Sequence, residues 1–417
     1  MGLRCFGLGS LVFVIQFVEP RRKTQDQRFK MLEVTIERIL PGGVGLAHAD
    51  GKTVFVSLAA PGDRLRVRVD REQGNLVFAS IVEIVEASCE RVEPPCPYFG
   101  RCGGCDFQQL GYEAQLNAKA EIIRDCLHRI ARLDIQHVRV IPSPKQWHYR
   151  ARATWQLDST QQTIGYYERG SRRVCDVAEC AVLVPEMQKA LEDVRGTQFA
   201  VMPSDLKHLD AVVGDSGVSL APAFGQFKTT DLNLKVGDET YSYNAEAFFQ
   251  VNQALLGDLV RCAVGEKSGT TALDLYSGVG LFTLALARRF QRVVGVESNS
   301  VAARFARRNV EHSQLSNTSI ITADVADWIR SSAAQAESFD YVLLDPPRAG
   351  AESAVIKGVL DLAPSRISYV SCDPATLARD LKKLMAGEFV VESVIGFDMF
   401  PQTHHVETVV QLVRTNQ

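Results

Sequence analysis

The feature that most constrains the fold is a regular alternation of strand and helix patterns in the last third of the chain. From Thr271 onward, short apolar segments that end in polar residues alternate with longer helical segments. This alternation is typical of an α/β fold, a doubly wound sheet with helices on both faces. The last two apolar segments, 390–400 and 404–413, have no helix between them. We therefore expect a mostly parallel sheet that is finished by an antiparallel hairpin.

The turn after the first strand of this part has the composition of a ligand-binding turn. Asp274 lies in that strand, and Gly278 and Gly280 follow it where the backbone could approach a ligand closely. The third glycine of a dinucleotide fingerprint is missing, so a pyrophosphate is not required. Glu297 and Asp324 end the next two strands, where they could meet ribose hydroxyls and an adenine amine. Such acids are often only helix caps, but together they predict a Rossmann-like, class I methyltransferase domain for S-adenosylmethionine.

Two later strand ends carry reactive groups. The fourth strand ends in an Asp-Pro-Pro-Arg motif at 345–348. Its arginine stands where methyltransferases that act on exocyclic amines often have an aromatic residue, which argues against amine chemistry. Cys372 ends the fifth strand beside the expected cofactor cleft. Cysteine is more often a small buried residue, but this position favours a nucleophile.

A nucleophilic cysteine is what methylation of uracil at C5 requires. C5 is a poor nucleophile, and a thiolate that adds to C6 turns the ring into an enolate whose C5 can accept a methyl group. The adduct must then lose its C5 proton to a general base before the cysteine can leave. Glu407 enters the last strand and is the best candidate for this base. His404 and His405 precede it and are more typical of surface or structural groups.

Three of the ten cysteines lie close together in the central part of the chain. Cys96, Cys102 and Cys105 share one glycine-rich loop, which predicts a metal site with a fourth ligand elsewhere. Their spacing alone does not distinguish an iron-sulfur cluster from zinc. The other cysteines are too unevenly spaced for a disulfide framework and indicate a reducing, cytoplasmic location.

Residues 31–88 contain short alternating segments separated by turns, a pattern that predicts a small β-barrel. The phrases GGVGLAHADGKTVFV and LAAPGDRLRVRV in this part resemble the TRAM domain, an OB-like barrel that binds RNA. The resemblance implies an RNA partner. Because the formal net charge of the chain is -3, RNA contact would depend on a local basic patch.

Five phrases in the second half, FFQVN, LDLYSGVG, LLDPPRAG, SCDPATLARDL and HHVETVVQL, resemble those of the uracil-C5 RNA methyltransferases. The resemblance covers about residues 31–417 and is closest to bacterial members that act on 23S rRNA. It implies Cys372 as the nucleophile, Glu407 as the base and Asp345 as the residue that orients the uracil. It also implies that the binding site for S-adenosylmethionine is lined by eight residues: Gln250, Tyr276, Gly278, Gly280, Leu281, Glu297, Asp324 and Asp345. Leu281 departs from the family pattern, which often has asparagine there.

The same resemblance bears on the cysteines. It implies a [4Fe-4S] cluster held by Cys96, Cys102 and Cys105, and the phrase CAVLVP marks Cys180 as the fourth ligand. Cys175 is a weaker candidate for that position. Because methyl transfer needs no redox step, we expect the cluster to brace a mixed α+β central domain.

Basic and aromatic residues are interleaved in two stretches of the central part, 147–152 and 169–173. Such side chains can stack on splayed bases and bind phosphates, although the pattern also fits an amphipathic strand with a solvated face. We expect RNA contacts from Arg150, Arg152, Arg172 and Arg173. A uridine in folded RNA would have to be flipped out to reach the reactive cysteine.

These patterns divide the chain into four parts. They are an amino-terminal extension at 1–30, disordered or an over-extended start; a TRAM barrel at 31–88; a central iron-sulfur and RNA-binding domain at 89–240; and a methyltransferase domain at 241–417. The apolar run at 11–18 is too short to span a bilayer and lacks a small-residue cleavage site after it. We expect a cytoplasmic monomer that does not associate with membranes.

Three other interpretations remain. Methyltransferases for uridine 54 of tRNA typically lack both the barrel and the cysteine cluster. Cytosine-C5 RNA methyltransferases place their catalytic cysteine differently. A catalytically idle RNA-binding or ribosome assembly factor would not need to retain Cys372, Asp345 and Glu407 together.

Overall fold

The amino-terminal part forms a six-stranded sheet. The structure, a computed structural model, describes residues 30–197, 202–203 and 205–415, so the predicted extension at 1–30 lies outside the described residues except for Lys30. The strands are β1 (Met31–Thr35), β2 (Arg38–Leu40), β3 (Val44–Ala49), β4 (Lys52–Ser57), β5 (Arg64–Gln73) and β6 (Leu76–Glu86), in the order β1-β5-β6-β4-β3-β2. Along β5 the apolar residues Leu65 and Val67 are buried between exposed arginines, as strand periodicity requires.

The central part combines a long helix with an antiparallel sheet and a hairpin. Its elements are α1 (Tyr112–Cys126), β7 (Arg139–Ile141), β8 (Arg152–Asp158), β9 (Thr163–Tyr167), β10 (Val174–Asp176), α2 (Pro185–Arg195), β11 (His208–Gly214), β12 (Gly217–Ala221), β13 (Leu232–Val236) and β14 (Glu239–Tyr243). The sheet has the order β10-β9-β8-β11-β12, and β13 pairs with β14. Helix α1 is followed directly by a π-helical turn at Leu127–Ala131.

The carboxyl-terminal part follows the predicted alternation of helices and strands. Its elements are α3 (Leu256–Val264), β15 (Gly269–Leu275), α4 (Leu281–Ala287), β16 (Phe290–Glu297), α5 (Ser300–His312), β17 (Thr318–Thr322), α6 (Val325–Ile329), α7 (Ser332–Gln335), β18 (Tyr341–Leu344), α8 (Ser353–Leu362), β19 (Arg366–Ser371), α9 (Pro374–Ala386), β20 (Phe389–Phe397) and β21 (Glu407–Arg414). Two buried apolar clusters cover the two faces of its sheet, with α3, α4 and α5 in one cluster and α6, α8 and α9 in the other.

This sheet has the strand order β17-β16-β15-β18-β19-β21-β20-β7. Strands β15 to β19 are parallel, so their carboxyl ends meet at one edge. The chain order reverses between β15 and β18, which is where a ligand crevice opens in such sheets. Strand β21 is antiparallel to both of its neighbours, as predicted for the closing hairpin. The doubly wound fold predicted from the sequence is therefore confirmed.

The edge of this sheet contains a strand from the central part. Strand β7 pairs in parallel with β20 through Arg139, Val140 and Ile141. Three residues are too short a run to show a period in the sequence. The carboxyl-terminal sheet is thus completed by a segment that precedes it by more than a hundred residues.

The expectation of an iron-sulfur domain in the central part is wrong. Among the residues that the structure describes, no group of three or more histidine, cysteine, aspartate or glutamate side chains is placed to hold a metal ion. Burial raises the pKa of Cys102 and that of Cys105 to about 12. In the structure, burial thus favours the neutral form of these thiols, whereas a metal is bound by the thiolate. In the described ranges, furthermore, no helix is long and apolar enough to cross a membrane.

Candidate active site

The turn between β15 and α4 has an unusual backbone conformation. Tyr276, Gly278 and Gly280 have φ angles of 66°, 56° and 92°, all in the left-handed region. This region favours glycine, and a tyrosine there is a strained residue of the kind found at binding sites. A Cβ atom at Gly280 would also lie 3.2 Å from the side chain of Leu284. The turn therefore needs its glycines, and it leads directly into α4 at Leu281.

Glu297, at the end of β16, is fixed beside this turn. Its carboxylate is buried and accepts hydrogen bonds from the backbone N–H of Gly278 at 2.8 Å and of Asn299 at 2.6 Å. A carboxylate has about four lone-pair sites, so these two bonds leave capacity for further donors. The arrangement suits a ligand with neighbouring hydroxyl groups, such as a ribose.

Two aspartates lie near the same crevice. Asp324 accepts a hydrogen bond from the backbone N–H of Asp327 at 3.0 Å, so it is also the cap of α6. Asp274 is fully buried, and one oxygen accepts from the Thr283 hydroxyl. Its other oxygen, Oδ1, has no partner among the described residues, and burial raises the pKa of this carboxyl to about 7. The sequence marked Asp274 only as part of a strand, whereas its unpartnered oxygen makes it a candidate acceptor for a ligand.

Gln250 lies in the segment that joins β14 to α3. The segment packs against the central sheet, where the backbone N–H of Ala151 donates to the carbonyl of Val251 at 2.8 Å. Next to Gln250, the ring of Phe249 stacks on Tyr243 with 4.4 Å between ring centroids. Gln250 itself is buried. Its position is thus set by contact between the central part and the carboxyl-terminal part.

Cys372, Asp345 and Glu407 come together at the carboxyl edge of the sheet. Asp345 follows β18, Cys372 follows β19, and Glu407 begins β21, which pairs with β19. The exposed Arg348 lies close enough to Cys372 to lower the pKa of its thiol. Glu407 is buried, whereas Cys372 is only partly covered. One thiol, two carboxyl groups and one guanidinium therefore lie close enough together to influence one another's protonation.

Burial controls the protonation of this cleft. It raises the pKa of Cys372 to about 12; Glu407 and Asp345 act in the same direction, and Arg348 opposes them. It also raises the pKa of Glu407 to about 7, again against Arg348, and it raises that of Asp345 well above its ordinary value. Arg348 thus acts on the thiol in the direction of ionisation without outweighing burial. At neutral pH the protein alone holds the thiol protonated.

The two histidines before Glu407 are tied into the structure. The backbone N–H of His404 donates to Asp106 Oδ1 at 2.8 Å, and its ring Nδ1 lies 2.5 Å from Asp106 Oδ2. His405 packs edge-on against Phe400, and burial lowers the pKa of its ring to about 3. The ring of His405 is therefore neutral at physiological pH.

The four cysteines of the predicted metal site border one cavity. They are Cys96, Cys102, Cys105 and Cys180. Cys175 is buried and instead accepts a hydrogen bond from Arg101 Nε at 3.2 Å. The sequence pattern brings the thiols near one another without forming a group that could hold a metal ion.

The four arginines predicted to contact RNA differ in their surroundings. Arg150 borders the cysteine cavity, and its Nε has no hydrogen-bond partner within the described part of the chain. Arg152 donates to the carbonyls of Ala247 and Ala245 at 2.8 and 3.1 Å. Arg172 is exposed, and Arg173 pairs with Glu168 in the same turn. The structure thus places two of the four at the surface and turns the other two inward.

Comparison with known proteins identifies the family to which the chain belongs. A model of the tRNA (uracil-5-)-methyltransferase family matches residues 225–415, and a TRAM domain model matches residues 25–82. An RNA methyltransferase of Thermotoga maritima is 32% identical to this chain. The match covers 92% of this chain and 99% of the Thermotoga protein. The 23S rRNA (uracil(1939)-C(5))-methyltransferase RlmD of Vibrio parahaemolyticus is 31% identical to this chain. The match covers 94% of this chain and 97% of the Vibrio protein.

A solved structure agrees over nearly the whole chain. It is that of the Pyrococcus abyssi tRNA (uracil-54, C5)-methyltransferase in complex with S-adenosyl-L-homocysteine. It is 27% identical, has a TM-score of 0.71, and the match covers 92% of this chain and 100% of that one. The chain therefore belongs to the tRNA (uracil-5-)-methyltransferase family of S-adenosylmethionine-dependent enzymes, with a TRAM domain at its amino-terminal end.

Proposed function

We propose that this enzyme transfers a methyl group from S-adenosylmethionine to C5 of a uridine in 23S rRNA. The observation that carries the proposal is that Cys372, Asp345 and Glu407 lie close together at the carboxyl edge of the sheet. A thiol and a carboxyl group placed together suit covalent activation of a ring carbon followed by proton removal. Similarity over nearly the full length to relatives named as 23S rRNA (uracil(1939)-C(5))-methyltransferases supports this choice of RNA.

The methyl donor is assigned to the crevice around the glycine turn. When bound, S-adenosylmethionine supplies an electrophilic methyl group. The lining is assigned to Gln250, Tyr276, Gly278, Gly280, Leu281, Glu297, Asp324 and Asp345. The crevice fits such a ligand because the carboxylate of Glu297 is fixed for ribose hydroxyls, and Asp274 offers a buried oxygen without a partner. Leu281 contributes a backbone position at the start of α4, which does not depend on its side chain.

The proposed reaction uses Cys372 first and Glu407 last. The thiol of Cys372 loses its proton to solvent, its sulfur bonds to C6, and the electron pair of the C5–C6 double bond makes C5 nucleophilic. Asp345 holds the uracil ring in place while C5 bonds to the methyl carbon of S-adenosylmethionine. The bond between that carbon and the sulfonium sulfur breaks, and its electron pair stays on the sulfur of S-adenosylhomocysteine. Glu407 then takes the C5 proton, the C5–C6 double bond forms again, and the electron pair of the C6–S bond returns to sulfur. Arg348 assists the first step because its charge favours the thiolate of Cys372.

The RNA is assigned to the TRAM domain and to the turn at 168–173. Arg172 and Arg173 are exposed on that turn and can reach phosphates. Arg150 and Arg152 face inward, toward the cysteine cavity and the carbonyl of Ala247 respectively. Their proposed contacts with RNA therefore require the protein around these two side chains to rearrange when RNA binds. We assign the domains as 31–88, 89–240 and 241–417, and we propose that the enzyme acts as a cytoplasmic monomer that does not associate with membranes.

A second candidate substrate is a uridine in tRNA. The solved Pyrococcus abyssi enzyme carries tRNA in its name and matches with a TM-score of 0.71. The two substrates are separated by incubating the enzyme with S-adenosylmethionine and either unmodified 23S rRNA or unmodified tRNA. We expect 5-methyluridine in 23S rRNA fragments, mapped by mass. If only the tRNA were methylated, tRNA rather than 23S rRNA would be the substrate of this enzyme.

The mechanism is tested by Glu407→Gln. Glutamine keeps the shape of the side chain but cannot accept a proton, so the methylated adduct should not resolve. We expect tritium release from RNA that contains [5-³H]uridine to fall roughly 10²–10⁴-fold, and a covalent RNA–protein band to appear on a denaturing gel. Cys372→Ala in the same background should remove the band. Normal turnover of Glu407→Gln would show that another group is the base.

A further inference from the structure

The proposed reaction does not use a fully buried ion pair next to the base. Lys119 of α1 and Asp398, which follows β20, form a salt bridge in which neither side chain is exposed. The ammonium of Lys119 also donates to the carbonyl of Phe400 at 3.0 Å. A buried charge persists only where its partner and its hydrogen bonds are held in good geometry. The pair therefore fixes α1 against the chain at 398–400.

Hydrogen bonds extend from this pair toward the cofactor crevice. The hydroxyl of Tyr112 donates to Asp398 Oδ2 at 2.8 Å and accepts from the backbone N–H of Ser143 at 2.7 Å. The hydroxyl of Ser143 in turn accepts from Asn252 Nδ2 at 2.9 Å. Asn252 is two residues from Gln250, so the pair is linked to the segment that borders the methyl donor.

A second set of bonds extends from α1 toward Glu407. We call residues 398–406, which join β20 to β21, the base loop, because Glu407 follows directly. Gln115 of α1 donates to Gln402 Oε1 and accepts from its backbone N–H, both at 2.9 Å. Tyr149 donates to the carbonyl of Pro401 at 2.9 Å. The base loop is thus held from the central part of the chain rather than by its own strands alone.

We propose that Lys119 is a positioning residue for the base. Its pair with Asp398 sets the base loop, and the base loop sets the carboxylate of Glu407 relative to the bound uracil. The inference rests on the proposed function and deepens it. According to this proposal, helix α1, which lies outside the cofactor-binding strands, controls one step of the reaction. That step is the removal of the C5 proton.

The steps differ in how much they depend on this loop. Cys372 follows β19, and the glycine turn follows β15, so addition of the thiol and methylation of C5 use parts of the sheet that Lys119 does not touch. In the last step the C5–H electron pair becomes the second C5–C6 bond, the C6–S pair returns to sulfur, and the proton goes to Glu407. A displaced carboxylate slows this step alone, so the methylated adduct accumulates.

The test uses the full chain with Lys119→Met, which keeps most of the length of the side chain and removes its charge. We expect tritium release from [5-³H]uridine RNA to slow roughly 100-fold, as a displacement of about 1 Å can cause. A methylated covalent adduct should appear on a denaturing gel, while S-adenosylmethionine binds as in the wild type. Lys189→Met is the matched control, because it removes an exposed lysine that pairs with Asp193 on α2. The control should behave as the wild type.

A milder variant covers the case in which Lys119→Met does not fold. Tyr149→Phe leaves the ion pair intact and removes the hydroxyl that donates to the carbonyl of Pro401 in the base loop. We expect a smaller slowing of tritium release with the same adduct. Release at the wild-type rate in both variants would overturn the proposal, and so would parallel loss of donor binding and methyl transfer without an adduct. Wild-type enzyme that methylates no uridine would instead overturn the proposed function.

Discussion

At the scale of single residues, burial and one positive charge have opposite effects on the pKa values of Cys372 and Glu407. Cys372 must lose a proton to react, yet burial and the neighbouring carboxyl groups favour its neutral form. Arg348 is the group that acts in the opposite direction, on Cys372 and on Glu407 alike. The thiolate fraction of the enzyme should therefore depend on this arginine and on pH.

We expect methyl transfer under single-turnover conditions to increase as the pH is raised. Because the pKa of Cys372 is raised to about 12, the thiolate fraction should increase about tenfold per pH unit below that value. Arg348→Gln removes the charge that lowers this pKa, so its profile should lie at higher pH than that of the wild type. The measurement is the rate of adduct formation across the pH range with saturating RNA. Arg304→Gln, an exposed arginine on α5, is the control; superimposable profiles would mean that Arg348 does not act on the thiol.

At the scale of elements, helix α5 connects the β13–β14 hairpin to the glycine turn. Asn309 of α5 is fully buried. Its side chain accepts from the backbone N–H of Ser242 at 2.7 Å and donates to the carbonyls of Ser242 and Val279 at 3.1 and 2.9 Å. One amide thus satisfies both backbone groups of a hairpin residue and one carbonyl of the cofactor turn. The turn depends on this helix for its position.

Asn309→Ala should therefore destabilise the fold and weaken binding of the methyl donor. It leaves buried backbone groups without partners, which should lower the free energy of unfolding by about 2–3 kcal/mol. Urea denaturation measures the stability, and calorimetry with S-adenosylmethionine measures the affinity. Glu311→Ala, an exposed change on the same helix, should leave both unchanged. Equal stability of the two variants would show that the bonds of Asn309 are replaced by others.

Elements with a clear period could be predicted from the sequence, and contacts between distant elements could not. The parallel strands, their polar ends and the closing hairpin follow from local patterns, because strand and helix periods are read within one segment. Strand β7 is too short for such a reading, and Lys119 and Asp398 are 279 positions apart. The spacing of Cys96, Cys102 and Cys105 predicts a metal site, and this prediction is wrong, although all three thiols border one cavity. It does not determine whether the thiols converge, since that depends on side-chain direction and burial.

At the scale of the whole molecule, the base loop is the place where separate parts meet. The turn of the amino-terminal sheet reaches it at Gly43, where a Cβ atom would lie 3.0 Å from His404. The same sheet is anchored by Asp63, which is fully buried. Its carboxylate accepts from the backbone N–H of Ser88 at 3.0 Å and pairs with Arg91 at 2.6 Å. The TRAM domain is thus fastened to the central part through a buried charge.

Arg91→Met should destabilise the protein strongly. The change leaves the charge of Asp63 buried and unpaired, which should cost about 3–5 kcal/mol of unfolding free energy. Arg64→Met is the matched control, because Arg64 forms only exposed pairs, with Glu33 at 3.7 Å and with Glu86 at 3.8 Å. These pairs should contribute at most about 1 kcal/mol. Chemical denaturation of both variants gives the comparison. Similar losses would mean that the anchor between the TRAM domain and the central part is no stronger than a surface contact.

The pairing of β7 with β20 has a consequence for attempts to divide this protein. An isolated carboxyl-terminal fragment that begins near residue 241 would lack β7 and would leave β20 at the margin of its sheet. Unpaired backbone groups on such a strand form a template for pairing with another copy of the fragment. The fragment would therefore be prone to aggregation, even though it contains Cys372, Glu407 and the glycine turn. In the sequence the carboxyl-terminal part looks like a catalytic domain that could fold by itself, but its sheet lacks the edge strand β7, which the central part supplies.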